Sequence, residues 1–497
     1  MLQAFLLFFV AGLVVWTLWG KPRRKNIPPG PPQYPLLGNL PQIIKAHPFG
    51  YRAYHKLSQQ YGELMYVRVG MQDQIVVSSY KALKDLLDKE EISGRMWNGF
   101  LVDRSHGKEL GMIFSSLPAQ KDLKTYVLRA LRDYGFNRSD SMEVTVREEL
   151  KHFHGRMSNI AKKNGGQYRM ERFFQSSIMS ILWVMMAGER YDHDDPNLER
   201  LLKINSTWFQ SGNFGAGMVV AYPFLRFLFK EWTGYYRIEE GNEMIWGFIR
   251  EVIQDHRNRK EYKNEPTNFI DHFLQEIDRA GGKSDLFTEE QFIIICYDMF
   301  QGGFETTSNT LAYGILYMML NPHVQKKTQE ELDKVFEKRQ IASVLDKAKV
   351  PYTTATMLEI LRMSNILPVP GPRKATKDYY YNGYLIPKGF SVALNTYSVM
   401  RDTKIFGEDV DTFRPERFIG PDGKLNGLEQ YIQMSWGAGR RSCIGDKLAQ
   451  TTLFMFLTYL LRNFSFQKIE NKPDPTTEPI FGMILSPQPF DVIVKER

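Results

Sequence analysis

WGAGRRSCIG, residues 436–445, places Cys443 in a short loop of glycine and arginine, directly before an apolar helical segment. The only other cysteine, Cys296, lies in an apolar run, which excludes a disulfide framework and a four-cysteine zinc site. The glycines permit close approach of a flat ligand, and Arg440, Arg441 and the next helix N-terminus predict a lowered thiol pKa. A haem iron with an axial thiolate fits this loop. A glycine-bracketed loop around a buried cysteine is the alternative.

The longest predicted helix covers residues 288–320. TEEQ at 288–291 is typical of a capping box, and Asn321-Pro322 ends the segment. Its centre reads GGFETT, residues 302–307. Each glycine inside a helix costs about 1 kcal/mol relative to alanine, so we expect either a bulky group against the backbone or a close helix crossing.

Glu359 and Arg362 stand three residues apart, on one face of a predicted helix. Their neighbours are apolar, which predicts a buried ion pair that needs further hydrogen-bonding partners. The stretch FRPERF at 413–418 contains Arg417, a basic residue further along the chain.

These motifs, in this order, resemble those of the cytochrome P-450 family over essentially the whole chain, most closely its microsomal animal members. Gly439, Arg441, Cys443 and Gly445 match the haem-binding signature F-x-x-G-x-R-x-C-x-G, with Trp436 where the family usually has phenylalanine. The resemblance implies haem b with Cys443 as the axial iron ligand. It also implies a mainly α fold with small β-sheets, the cytochrome P-450 fold.

GGFETT resembles the oxygen-activation motif of the family, (A/G)-G-x-(D/E)-T-(T/S). The resemblance implies that Thr306 hydrogen-bonds dioxygen in the site and that Glu305 helps to relay protons, a task that suits an acid beside a hydroxyl. It further implies that Glu359, Arg362 and Arg417 form a structural network that holds the haem loop.

The contacts that the resemblance implies for the haem propionates are partly altered. Arg95 and Arg441 match the family. The family's W-x-x-x-R aligns with Gln120 and Lys124, so the positive charge is kept without the bidentate guanidinium. Arg373 stands where a histidine is common.

The amino terminus carries an uncharged run, residues 1–20, long enough to cross a bilayer. KPRRK follows at 21–25, and no cleavage site is present, so we expect an uncleaved anchor with the body in the cytosol. Residues 21–32 read as a basic and proline-rich hinge, and 33–497 as one catalytic domain. The resemblance implies an endoplasmic reticulum location.

Other segments give local expectations. Residues 64–69 and 74–78 predict a hairpin. Asn382-Gly383 predicts the turn of a second hairpin, and residues 390–394 predict a strand. The apolar segment 218–232 is either a packed helix or, by resemblance and given an anchor, a membrane contact. Substrate-pocket segments expected by analogy are 96–110, 205–220, 294–302, 366–373 and 481–485.

The resemblance implies a monooxygenase that inserts one oxygen atom into a lipophilic substrate. Electrons would come from NADPH through NADPH-cytochrome P-450 reductase, with a cytochrome b-type protein as a further donor. The net charge of +8 is spread among 56 acids, so we expect no nucleic-acid partner. A basic proximal face for the reductase is expected at Lys124, Arg129, Arg132, Arg440 and Lys447, with ordinary solvated charge as the alternative.

Two other functions stay open at this stage. One is a peroxide-rearranging or isomerising enzyme of the same fold, which retention of Glu305 and Thr306 disfavours. The second is a haem-binding sensor or an inactive scaffold, suggested by the altered propionate contacts.

Overall fold

Helices dominate the fold, as the sequence predicts. The computed structural model describes residues 25–497 except 97–98, 117–118, 137, 211–213 and 338–339, together with 6, 8–12 and 14. Its α-helices in this part of the chain are α1 Leu40–Ala46, α2 Gly50–Tyr61, α3 Tyr80–Leu87, α4 Phe100–Asp103, α5 Ala119–Asp133, α6 Ser139–Lys162, α7 Gln175–Ala187, α8 Pro196–Gln210, α9 Phe214–Ala221, α10 Leu225–Leu228, α11 Lys230–Thr233, α12 Tyr235–Arg259, α13 Phe269–Ala280, α14 Glu289–Gly303, α15 Glu305–Leu320, α16 Pro322–Val335, α17 Pro351–Ser364, α18 Thr396–Met400, α19 Thr403–Phe406, α20 Glu429–Ile432 and α21 Asp446–Asn463.

Short strands form small sheets at the edge of the helical body. They are β1 Leu64–Val69, β2 Gln72–Val77, β3 Gly94–Arg95, β4 Gln167–Met170, β5 Arg373–Lys374, β6 Tyr379–Tyr381, β7 Tyr384–Ile386, β8 Ser391–Leu394, β9 Phe464–Gln467, β10 Pro479–Ile480, β11 Ser486–Pro487 and β12 Phe490–Glu496. The largest sheet has the order β1-β2-β8-β5-β3. Its last pairing sets Arg95 opposite Arg373, so two basic residues far apart in sequence become neighbours.

Both predicted hairpins and the predicted strand are present. Leu64 to Val69 pairs antiparallel with Gln72 to Val77, two residues earlier than the sequence suggested for the second strand. Asn382 and Gly383 both have positive φ, at 49° and 80°, as a two-residue hairpin turn of type I′ requires. Ser391–Leu394 forms β8.

The predicted single helix over 288–320 is wrong in one respect, because it consists of two helices, α14 and α15, that meet at Phe304. The start is as expected: the Thr288 side chain accepts a hydrogen bond from the Gln291 amide at 3.1 Å. At the break, the hydroxyl of Thr306 donates to the Gly302 carbonyl and that of Ser308 donates to the Phe304 carbonyl. Such hydroxyl bonds compete with the backbone ladder and, beside two glycines, loosen the helix.

The proline-rich hinge docks onto the body where it is described. Tyr66 of β1 donates its amide hydrogen to the Pro29 carbonyl at 2.9 Å, and the Asn39 side-chain amide donates to Pro31 at 3.0 Å. The predicted anchor, residues 1–20, falls mostly outside the described residues. Within the described part, no helix is both long and apolar enough to cross a membrane.

Candidate active site

The loop before α21 holds Cys443 by close backbone packing. The Cys443 amide donates to the Trp436 carbonyl at 2.8 Å, and the thiol side is exposed. Gly439 has φ of 65°, and a Cβ there would lie 2.6 Å from the Leu87 carbonyl oxygen. The glycine that the sequence assigned to ligand approach is therefore needed where the loop packs on the end of α3.

The expectation of a lowered Cys443 pKa is wrong. Although Cys443 is exposed at the surface of the loop, the many protein atoms around its thiol desolvate it and raise its pKa, and the Gly445 amide hydrogen bond and the nearby Lys124 ammonium only partly offset this. The sequence showed the charges but not this crowding, which disfavours the thiolate. Cys296, by contrast, is buried inside α14, so Cys443 is the accessible cysteine among the described residues.

Three arginines beside this loop form no ion pair with any acidic side chain that the structure describes. Arg441 donates to the carbonyls of Ser93 and Ser115 at 3.1 and 2.7 Å, yet its Nη1 and that of Arg373 are buried without a partner among the described residues. Burial and mutual repulsion lower the pKa of Arg373 to about 8 and that of Arg95 to about 9, and burial lowers that of Arg441 to about 10. A ligand with two carboxylates, such as haem, fits this cluster because it supplies the missing acceptors and charge.

Of the remaining predicted haem contacts, Lys124 and Trp436 lie at the same loop, whereas Gln120 contacts the segment before α5. Lys124 donates to the carbonyls of Arg440 and Ser442 at 3.3 and 3.4 Å. Gln120 is buried and donates to Met112 at 3.2 Å. The Trp436 indole nitrogen is buried and has no partner among the described residues, so the larger aromatic ring brings an unused donor beside the sulfur.

The oxygen-activation motif exposes one strip of an otherwise buried helix pair. Between residues 291 and 311, every residue is buried except Gly302, Gly303 and Thr306. A Cβ at Gly302 would meet no atom within 4 Å. Gly302 thus leaves the backbone open near the Thr306 hydroxyl, as predicted for a bulky neighbour. A Cβ at Gly303 would instead lie 2.8 Å from the Leu182 side chain of α7, as predicted for a close helix crossing.

The Glu305 side chain points away from this strip, into the protein interior. The Gln175 side chain of α7 donates to its Oε2 at 2.6 Å. Burial raises the pKa of Glu305 to about 7, against smaller opposing effects of Arg172, Asn309 and Gln175. Sequence reasoning missed Gln175, because nothing in the sequence connects it with a residue 130 positions away.

The structure brings Glu359, Arg362 and Arg417 together. Arg362 donates to both Glu359 oxygens, at 2.7 and 2.8 Å, and Arg417 donates to Oε1 at 3.0 Å. The Arg414 amide donates to the same oxygen at 2.9 Å. Arg362 also donates to the carbonyls of Met400 and Val410. All three charged side chains are almost completely buried.

Two of the expected pocket segments meet in a cavity of about 230 Å³. Residues 368–372 and 481–485 line it with Tyr51, Tyr54 and Gln74. In segment 294–302 only Gly302 is not buried. The side chains of 205–216, and residues 97–98 of the first segment, lie outside the described residues.

Comparison with known proteins agrees with this geometry. The sequence profile of the family described as "Cytochrome P450" matches residues 28–494. The chain is 31% identical to the farnesoate epoxidase of Bombyx mori over 99% of the chain and 97% of that protein. It is 32% identical to cytochrome P450 2B2 of Rattus norvegicus, over 93% and 92% of the two chains, and 28% identical to cytochrome P450 2U1 of Homo sapiens, over 99% and 94%.

The chain belongs to the cytochrome P450 family. This confirms the predicted family, the predicted mainly helical fold and the predicted enzyme class, which is a haem-thiolate monooxygenase. The cofactor of this P450 is haem with an axial cysteine thiolate, and its electrons come from a reductase.

Replacing Glu359 with glutamine should destabilise the protein strongly. It leaves two buried guanidinium groups without their carboxylate, and breaking a buried pair costs about 3–5 kcal/mol. Urea unfolding followed by circular dichroism measures the effect. Glu148→Gln, which breaks an exposed pair with Lys151, is the control, and equal unfolding midpoints for the two variants would contradict the role of the network.

Replacing Glu305 with glutamine should change how stability depends on pH. The Glu305 pKa rises from 4.5 to about 7 on folding, so the native carboxyl holds its proton more tightly and the wild type loses about 3 kcal/mol between pH 4.5 and 7. Glu305→Gln has no titrating group at this position, so its stability relative to the wild type should increase as the pH rises from 4.5 to 7.

Urea unfolding midpoints from pH 4.5 to 8 test the Glu305 prediction. Glu290→Gln is the control. The hydrogen bond from Lys108 lowers the pKa of Glu290, so the contribution of Glu290 to stability changes with pH in the opposite direction. A constant difference between Glu305→Gln and the wild type at all pH values would show that Glu305 is not held with a raised pKa.

Proposed function

We propose that the chain binds haem through Cys443 and inserts one atom of dioxygen into a lipophilic substrate. Two electrons from NADPH, with two protons, reduce the second oxygen atom to water. This proposal rests on the accessible strip of Gly302, Gly303 and Thr306, in a helical stretch that is otherwise buried from residue 291 to residue 311. When bound, a haem with an axial thiolate supplies the activation of dioxygen and favours O–O cleavage.

The side chains around the strip have different roles in the proposed reaction. Thr306 presents a hydroxyl at the open face, where it can hydrogen-bond dioxygen and pass on a proton. Glu305 restores that proton from inside the protein, and a pKa of about 7 lets it both bind and release protons near neutral pH. Gln175 holds the carboxyl at the strip's buried edge.

The basic residues hold the cofactor's propionates in this proposal. Arg95, Arg373 and Arg441 supply the guanidinium groups, and Lys124 adds charge beside the loop. Gly439 and Trp436 shape the loop around the sulfur. The network of Glu359, Arg362 and Arg417 keeps that loop in place and takes no part in the chemistry.

The absorption spectrum of the reduced, carbon-monoxide-bound protein tests the proposed site. We expect a strongly red-shifted Soret band that is absent in Cys443→Ala, while Cys296→Ala, the matched control in a buried cysteine, keeps it. Product formation should require NADPH and dioxygen. Turnover without them would favour the isomerising enzyme, and bound haem without NADPH consumption by any ligand would favour a sensor.

The substrate class that we favour is an unsaturated isoprenoid with an oxygen-bearing end. A relative aligned over almost the full length of both chains is named a farnesoate epoxidase, and the lining of the 230 Å³ cavity is largely aromatic and aliphatic. The reaction would be epoxidation of a carbon–carbon double bond, with one oxygen atom added and no hydrogen lost from the substrate.

The proposed setting is the endoplasmic reticulum membrane, with anchor 1–20, hinge 21–32 and catalytic domain 33–497. Exposed apolar residues on and around α10 and α11 support a second membrane contact, and they are Phe224, Phe227, Leu228, Phe229 and Trp232. They lie close to the segment that follows the hinge, because the Tyr222 hydroxyl donates to the Leu36 carbonyl.

The face that carries the Cys443 loop is the proposed docking surface for NADPH-cytochrome P-450 reductase or a cytochrome b-type donor. Arg129, Arg132, Arg440 and Lys447 are exposed, and Lys124 is half-buried. Arg440 also pairs with Glu90 at 3.1 Å, so part of its charge is used within the chain. An acidic protein surface complements the rest.

Trp232 should lie in lipid when the full-length protein is reconstituted in phosphatidylcholine vesicles. It is 63% exposed and its neighbours are apolar, so brominated acyl chains should quench its fluorescence. Trp232→Phe should lose this quenched component, whereas Trp183→Phe, which removes a buried indole, should keep it. Equal quenching in the wild type and Trp232→Phe would contradict the contact.

A further inference from the structure

The tip of the β10–β11 hairpin forms part of the wall of the 230 Å³ cavity. Residues 481–485 connect the two strands, each of which is only 2 residues long. Because so short a hairpin is not stable by itself, contacts outside it must fix the position of its tip. One such contact is the hydrogen bond from the Leu485 amide to the Ile366 carbonyl, at 2.8 Å. It joins two of the expected pocket segments.

Asn309 of α15 supplies a second contact with the hairpin. Its side-chain amide donates to the Leu485 carbonyl at 3.3 Å and to the Ser486 hydroxyl at 2.8 Å. Leu485 lines the cavity, whereas Asn309 is only 7% exposed and lies behind it. Asn309 therefore connects the cavity wall with the first turns of α15, where the oxygen-activation motif ends.

The same amide also acts on Glu305. The two residues are one helical turn apart, on the same face of α15. Burial raises the pKa of Glu305, and hydrogen bonding by Asn309 opposes that rise. An asparagine amide has two hydrogens, but Leu485, Ser486 and the Glu305 carboxylate offer it three acceptors. How strongly Asn309 stabilises the ionised carboxylate therefore depends on how firmly the hairpin tip holds the amide.

The other groups that act on Glu305 do not contact this wall. Arg172, which precedes α7, is the charged side chain that lowers the Glu305 pKa among the described residues. Gln175 of α7 donates to Glu305 Oε2 at 2.6 Å. Neither side chain is among the described residues that line the cavity. Of these groups, Asn309 is thus the one through which the cavity can influence Glu305.

We propose that Asn309 is a positioning residue that couples substrate binding to the supply of protons. A substrate in the cavity holds residues 481–485 in place and so keeps both amide hydrogens of Asn309 on the hairpin. The ionised form of Glu305 then receives less hydrogen bonding, and the carboxyl keeps the proton that Thr306 needs. This inference rests on the proposed monooxygenase function and adds to it a proton donor that is protonated in the substrate complex.

The affinity for a neutral ligand tests this coupling, because it should depend on pH. If ligand binding makes Glu305 hold its proton more tightly, the complex binds more protons than the free protein, and affinity must rise as the pH falls through neutral. Optical titration of the full-length, haem-loaded protein with methyl farnesoate, an ester without a titrating group, measures this affinity. Between pH 8.5 and pH 5.5 it should increase about fivefold, the lower end of the range for coupled sites.

Variants identify the groups that carry the coupling. Glu305→Gln removes the titrating carboxyl, so its affinity for methyl farnesoate should not change with pH. Asn309→Leu keeps the carboxyl but removes its link to the hairpin, so the pH dependence should be lost there as well. In Ser486→Ala one hydrogen of Asn309 becomes available to Glu305, which lowers the carboxyl pKa. The pH dependence should remain in this variant and move to lower pH.

Ser308→Ala is the matched control. Ser308 directly precedes Asn309, and its buried hydroxyl donates to the Phe304 carbonyl, so its loss should leave the pH dependence of the wild type unchanged. If Asn309→Leu does not fold, Ser486→Ala still tests the inference, because it removes a single hydroxyl and leaves the buried amide in place.

Three results would overturn the inference. They are a wild-type affinity that does not change with pH, an Asn309→Leu variant that binds more weakly at every pH but keeps the pH dependence, and an unshifted pH dependence in Ser486→Ala. The neutral hydrocarbon β-farnesene replaces methyl farnesoate if the ester does not bind, since the coupling requires only a filled cavity. Failure of the proposed function looks different: the red-shifted carbon-monoxide band would be absent, or a bound ligand would not stimulate NADPH consumption.

Discussion

The fold of the active-site region depends on one buried carboxylate. Glu359 accepts hydrogen bonds from Arg362, Arg417 and the Arg414 amide, and through the two arginines it fixes the backbone between Met400 and Thr412. This segment precedes the Cys443 loop in the chain. Because a carboxylate and two guanidinium groups are stable in the interior only when fully paired, this arrangement admits one geometry.

The arginines beside the haem loop show the opposite condition. Arg95, Arg373 and Arg441 are held close together and form no ion pair with a carboxylate in the part of the chain that the structure describes, and their lowered pKa values express the cost of burial and, for Arg95 and Arg373, of mutual repulsion. The Glu359 network is complete within the chain, whereas this cluster requires an external anion.

How far the sequence predicts this site depends on the range of each interaction. The Asn382-Gly383 turn, the Thr288 cap and the loop glycines are local, and the motifs were sufficient to predict them. The Glu359 partners came from a resemblance. The Gln175–Glu305 and Arg104–Asp298 contacts join residues more than 100 positions apart, and no local pattern marks them. The Cys443 pKa was predicted in the wrong direction because burial is a property of the folded chain.

Helix geometry, rather than the interruption at Phe304, explains how one short motif serves two environments. A continuous helix would already place residues 305 and 306 about 100° apart, one toward the interior and one toward the strip. The hydroxyl of Thr306 is bound to the Gly302 carbonyl at 2.9 Å, so it is oriented while its oxygen stays free to accept a proton from another donor. In the proposed reaction, the buried Glu305, whose pKa is raised by burial to about 7, supplies the proton that the open strip itself lacks. Under that proposal, separating the proton source from the apolar site lets a lipophilic substrate lie against the backbone of Gly302 without a carboxylate beside it.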